Sequence, residues 1–225
     1  VTSARSPRYV RAAVGAFRAG RYAGLGSGQY GGLAATAAAI FLDREARSAV
    51  LDNDPVHGSL REPLLKLLHF MRAMGFRSRD GREVELTSSL INAIGMRPYQ
   101  SPTVFNFYVP DYAPQGPIAD GGLVSAEAQL LTSPYIIGYL NGLLSLAKYG
   151  LTMCDNGLGS SESDSARSCW RITSGKDAAW WSDDGNLTFA PVSAADDAAG
   201  VVAELDTLLT AERINANSAG GIAAA

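Results

Sequence analysis

Residues 128–147, "AQLLTSPYIIGYLNGLLSLA", contain no charged side chain. That is close to the ~20 residues needed to cross the hydrocarbon of a bilayer. The stretch therefore belongs in a membrane, at a membrane interface or inside a protein. Against a span stand Thr132, Ser133, Pro134, Asn141 and Ser145, and Pro134 starts a helix in the middle of the window. The reading is a buried core helix, preceded by another helical segment and broken at Ser133–Pro134. Gly138 and Gly142 stand four apart, a spacing that lets a second backbone approach closely in any solvent. Such a helix requires other apolar helices around it.

The rest of the chain supplies them. "SPRYVRAAVGAFRAG" predicts a helix with Ser6 as cap, Pro7 at its first position and Gly20 at its end. Tyr9, Val10, Ala13, Val14 and Phe17 share one face. "RYAGLGSGQYGG" lacks the Lys-Ser/Thr ending of a phosphate loop and reads as a flexible connector. "LAATAAAIFL" is an alanine-faced helix suited to close packing. "SLREPLLKLLHFMRAMG" carries a stripe of Leu60, Leu64, Leu67, Leu68, Met71 and Met74. A polar turn or small hairpin is expected at "RSRDGREVEL", a short helix at "TSSLINAIG" and a weak strand at "LTFAP". The last amphipathic helix has Ser193 as cap and Val201, Val202, Leu205, Leu208 and Leu209 as its apolar face. Residues 215–225 are expected to fray. The fold class is mainly α: an irregular helical bundle with long proline- and aromatic-rich connections and at most a small β-hairpin. Residues 1–225 are expected to form one domain, with a polar insertion at 151–190.

Residues 97–117, "RPYQSPTVFNFYVPDYAPQGP", hold five prolines and five aromatic rings. Proline removes backbone donors, so such a segment needs fewer partners when buried. Phe105, Phe107, Tyr108 and Tyr112 are expected to lie as a strap across the bundle; a partner's groove is the alternative.

Hydrophobic residues make up 47% of the chain and charged ones 18%, with a net charge of −3 and no basic cluster. This argues for a real core and against nucleic-acid binding. The first ten residues show neither an initiator Met nor an apolar signal core, which reads as a piece of a longer protein. Cys154 and Cys169 flank a Ser/Gly/Asp-rich loop and are expected to form a disulfide, the alternative being two separate thiols. Asn186 begins an "NLT" glycosylation pattern. These features suit an exported protein.

Chemistry-bearing candidates are few. Asp52, Asp54 and His57 in "DNDPVHG" offer oxygen and imidazole ligands to a divalent cation such as calcium, or a solvated turn. Arg61 and Glu127 are candidates for an ion pair between two helices, or for separate solvation. His69 reads as an ordinary helix histidine. No GxSxG, HExxH or Cys–His pair is present, though a catalytic set can assemble from distant positions. Asp111, Asp120 and Glu127 beside the aromatic stretch offer a carbohydrate cleft.

Four blocks, "SPRYVRAAVGAF", "FLDREAR", "LREPLLKLLHFMRAMG" and "SPTVFNFYVP", with the final "VVAELDTLLTAERI", occur in an order that resembles the C-terminal half of the domain-of-unknown-function 1800 family. The likeness covers about residues 1–150 and 195–214. The chain departs from it at "NFYVPDYAP", where the family carries a Trp-containing turn, and at 154–181, which looks inserted. The resemblance implies an exported, mainly helical protein whose N-terminal half lies outside this sequence, and it implies no activity.

Together these readings favour a non-enzymatic structural or interaction domain of an extracellular or cell-surface assembly, without a predicted cofactor. Its partners would be its own N-terminal half, another protein or a second copy. The alternatives are a secreted carbohydrate-active or other hydrolase completed by that half, and a cation-binding module.

Overall fold

A computed structural model of the chain describes residues 5–53, 57–81, 83, 84, 86, 88–159, 184–194 and 196–224. The fold is mainly helical with one small antiparallel sheet. Along the chain run α1 (Pro7–Ala19), α2 (Leu33–Leu42), α3 (Arg44–Arg47), α4 (Pro63–Ala73), β1 (Arg77–Ser78), α5 (Ser88–Ile94), α6 (Pro117–Asp120), α7 (Ser133–Tyr149), β2 (Gly185–Asn186), α8 (Ala198–Thr210) and α9 (Ala216–Ala223). The single body expected from sequence resolves into two compact units. One comprises Val1–Arg61 and Tyr108–Gln129, the other Glu62–Phe107 and Leu130–Ala225.

In the first unit, α1 starts as its sequence dictates. The Ser6 hydroxyl accepts the Tyr9 N–H at 3.1 Å, Pro7 follows, and Gly20 ends the helix at φ 63°. α1 meets α2 through Ala16, Ala35 and Ala39, with Ala13 and Tyr22 packed alongside. Alanine surfaces bring the two backbones close, and the larger Val10 and Val14 stay outside that seam, both more than 40% exposed. The glycine-rich segment between the helices is a fixed turn rather than the flexible connector expected. Tyr22 pairs with Leu25, Gly28 N–H donates to the Gly20 carbonyl, and Gly31 N–H donates to that of Phe17, both at 2.9 Å. A Cβ on Gly20 would overlap the backbone of Gln29.

In the second unit, α5 crosses α7 at Gly138, and Gly142 one turn on admits the 151–158 segment. A Cβ on Gly138 would overlap the Ala93 carbonyl, and one on Gly142 would strike the Leu158 side chain. Leu90, Ile94, Met96, Leu146, Leu151 and Leu158 are buried around this crossing. Pro134 sits in the first turn of α7, and a 3-10 turn, Ala126–Leu130, precedes the helix. No helix of the described residues is long and apolar enough to cross a membrane. α4 buries Pro63, Leu67 and Met71, with Met74 just beyond; the stripe is narrower than predicted, since Leu68 is 37% exposed.

Three local expectations change. Among the described residues β1 pairs with distant β2 rather than within 77–86, Arg77 opposite Asn186, and Arg79–Gly81 forms a 3-10 turn. The Leu151 N–H donates to the Gly185 carbonyl and the Asp184 N–H to that of Leu151, so the stem of the polar segment is stitched shut. Asp197, not Ser193, caps α8, accepting the Gly200 N–H at 2.9 Å; Ser193 and Val192 donate to Glu204 instead. The tail expected to fray forms α9, capped by Asn215.

The aromatic ribbon is buried only in part. It crosses between the units at Phe107 and Tyr108. The Thr103 hydroxyl accepts the Phe105 N–H and donates to the Asn106 carbonyl, both at 3.1 Å, and Asn106 adopts φ 75°. The resulting tight turn projects its tip: Val104 is 94% exposed and Phe105 59%. Phe107, Tyr108 and Tyr112 are half-buried.

Candidate functional site: the outward face of α7

α7 is apolar on two opposite sides. Gly138, Gly142, Ser145 and Leu146 turn toward α5 and the 151–158 segment. At 100° per residue, Ile136, Ile137, Leu140 and Leu144 lie within one arc on the other side. That arc is open to water, from 42% exposed at Ile136 to 69% at Leu144. A helix apolar all round is ordinarily enclosed on all sides. At its N-terminal end the open face runs into a cleft of about 150 Å³. Pro63 and Lys66 of α4 form one wall, and Leu130, Tyr135, Tyr139 and Leu140 the other. Burial pushes the Tyr139 phenol up from its ordinary value. The cleft is greasy, with one cation among its lining side chains.

The first unit holds the densest polar cluster, centred on Asp43, which is 2% exposed. Asp43 leaves α2 with extended backbone and caps α3, its Oδ1 accepting the Glu45 N–H at 2.8 Å. Arg8 donates from Nη2 to Oδ1 at 2.5 Å and from Nη1 to Oδ2 at 3.1 Å. Tyr22 donates its hydroxyl to Oδ2 at 3.2 Å. A carboxylate has about four lone-pair positions, and all four are filled. The hydrogen-bonded Arg8 guanidinium outweighs burial and holds the Asp43 carboxyl down at about 2. Glu45 lies 3.5 Å from Arg8 and accepts from the Ser6 N–H at 2.8 Å and from its hydroxyl. Burial pushes Glu45 up, but these partners hold it below its ordinary value. A saturated carboxylate has no vacancy for a substrate or an ion, so this cluster is a clasp. Sequence reasoning missed it because its members lie up to 39 positions apart; the local signal was Asp43 as cap before Glu45.

The sequence candidates distribute as follows. Among the described residues no ion pair joins Arg61 to Glu127; Arg8 pairs with Asp43 and Glu45. Of the cation set, Asp54 and the Asp52 side chain lie outside the described residues, and His57 is half-buried. No group of three His, Cys, Asp or Glu side chains gathers among the described residues. His69 Nε2 lies 3.1 Å from the Leu208 carbonyl, tying α4 to α8. Cys154 is buried, while Cys169 lies outside the described residues. Asn186 is exposed within β2, its side-chain oxygen lying over Gly150, and the Thr188 hydroxyl donates to the Gly75 carbonyl at 2.6 Å. Asp111 and Asp120 are exposed and Glu127 half-buried.

No curated protein and no solved structure matches this chain. The family model described as "Protein of unknown function (DUF1800)" matches residues 1–225, running through the polar segment as well as the helical blocks on either side. The chain belongs to the DUF1800 family.

Proposed function

We propose that this chain is an interaction domain of an exported, cell-surface or extracellular assembly, and that it docks through the outward face of α7. One observation carries the reading. Ile136, Ile137, Leu140 and Leu144 form a continuous apolar stripe in water on a helix whose opposite side is already packed. Single exposed apolar residues are ordinary, whereas a contiguous patch marks an interaction surface. The polar cluster around Asp43 is saturated by its own neighbours, which suits a structural role. Export agrees with the low proportion of charged residues and with the placement of Cys154 and Cys169 around one polar loop.

The test is the double variant Ile137→Glu/Leu144→Glu. Its urea midpoint should stay within experimental error of the parent, because both side chains are exposed. Its cross-linking to neighbours on the surface of producing cells should be lost. Unchanged cross-linking, or unfolding like that of a core variant, would remove the basis of the proposal.

A further inference from the structure

We infer that the partner of the α7 face is a second copy of this chain, each copy seating Phe105 in the other's cleft. The inference rests on the docking reading above and names the occupant. The second unit carries both halves of a knob-and-hole contact. The knob is the turn tip, where Phe105 is 59% and Val104 94% exposed. Hydrogen bonds from and to the Thr103 hydroxyl fix that turn, so little conformational freedom is lost on binding. The hole is the cleft of about 150 Å³ between Pro63, Tyr135, Tyr139 and Leu140. An apolar cavity of about 150 Å³ is the size that admits a benzene ring.

The area agrees. Val104, Phe105, Leu131, Ile136, Ile137, Leu140 and Leu144 are each at least 41% exposed. At on the order of 100 Å² apiece they approach the roughly 800 Å² per partner of a standard interface. In a two-fold arrangement both surfaces of both copies would be used. An apolar small molecule in the cleft would leave the Val104–Phe105 tip in water; exchange between copies covers both.

The experiment is sedimentation equilibrium of the intact chain over a concentration series reaching the high micromolar range. The parent should dimerise. Phe105→Ala, which alters an exposed side chain, should weaken the dimer at least about tenfold, as expected for a buried aromatic anchor. Leu140→Glu should leave a folded monomer by circular dichroism. Mixing the two variants should restore a heterodimer, because one supplies an intact cleft and the other an intact knob. A parent that stays monomeric, a dimer indifferent to Phe105→Ala, or mixing without recovery each overturns the exchange. A monomeric parent whose surface cross-links still depend on Ile137 and Leu144 overturns only self-pairing. Cross-links indifferent to those residues overturn the docking reading as well.

Discussion

Arg8 on α1 holds Asp43 at the α2–α3 junction with two guanidinium nitrogens, at 2.5 and 3.1 Å. This contact ties the start of the first helix to the end of the second. The glycine turn fixes their other ends through Gly20, Phe17 and Gly31. The helical pair is thus fastened at both extremities, with only alanines between.

Asp43→Asn keeps the shape but removes the charge that Arg8 and Tyr22 address. Breaking a buried pair costs about 3–5 kcal/mol, and because the Arg8 side chain is 41% exposed the expected loss is near the lower end, about 3 kcal/mol. Chemical denaturation monitored through the first unit measures it. A loss below about 1 kcal/mol would show that the clasp is not holding the pair.

Acid should loosen the same clasp. Asp43 titrates at about 2 in the folded chain against 3.8 ordinarily. A folded-state value below the unfolded one gives stability that is full above the unfolded value and lost as pH falls through the folded one. Glu45 is lowered as well, and so is Glu204, the latter chiefly by the Ser193 hydroxyl. Stability should fall from about pH 4 to about pH 2. Asp43→Asn should flatten that fall, as read by urea midpoints across the range.

Two glycine-to-alanine changes should have opposite signs. Gly138→Ala places a methyl group into the Ala93 carbonyl and should destabilise the second unit by about 1–3 kcal/mol. Gly15 lies inside α1 with nothing within 4 Å of its added methyl, so Gly15→Ala should stabilise by roughly 0.5–1 kcal/mol. Thermal melts distinguish the pair; equal signs would contradict the close α5–α7 crossing.

The proposed Cys154–Cys169 bridge has a simple check. Alkylation without reduction should leave both cysteines unlabelled in protein collected from outside the cell. Cys169→Ser should lower stability by roughly 3 kcal/mol, the loop-closure value for about 15 residues. Two labelled thiols in the exported chain would contradict the bridge.

What the sequence discloses is mostly local. Ser6, Pro7 and Gly20 mark α1 because caps and breakers act within a few residues. Gly138 and Gly142 mark the close crossing because small side chains at that spacing have one main use. The clasp is not legible in the same way: Arg8, Tyr22 and Asp43 meet only after the chain has turned back on itself. The α7 face fails for another reason. Periodicity reports that a side is apolar, but not which apolar side finds a cover within the chain. The ribbon was ambiguous because proline suits a buried brace and a projecting turn alike. Thr103 and Asn106, both able to bond their own backbone, carried the turn signal.

The stitch among Leu151, Asp184 and Gly185 brings the chain at 151 and the chain at 184–185 together. Whatever length or composition occupies the interval 160–183, its ends return to the same two points. Loop-closure entropy grows only logarithmically, so doubling such an interval costs about 0.6 kcal/mol. Insertions within that interval that keep Cys169 should therefore be tolerated at a small entropic cost.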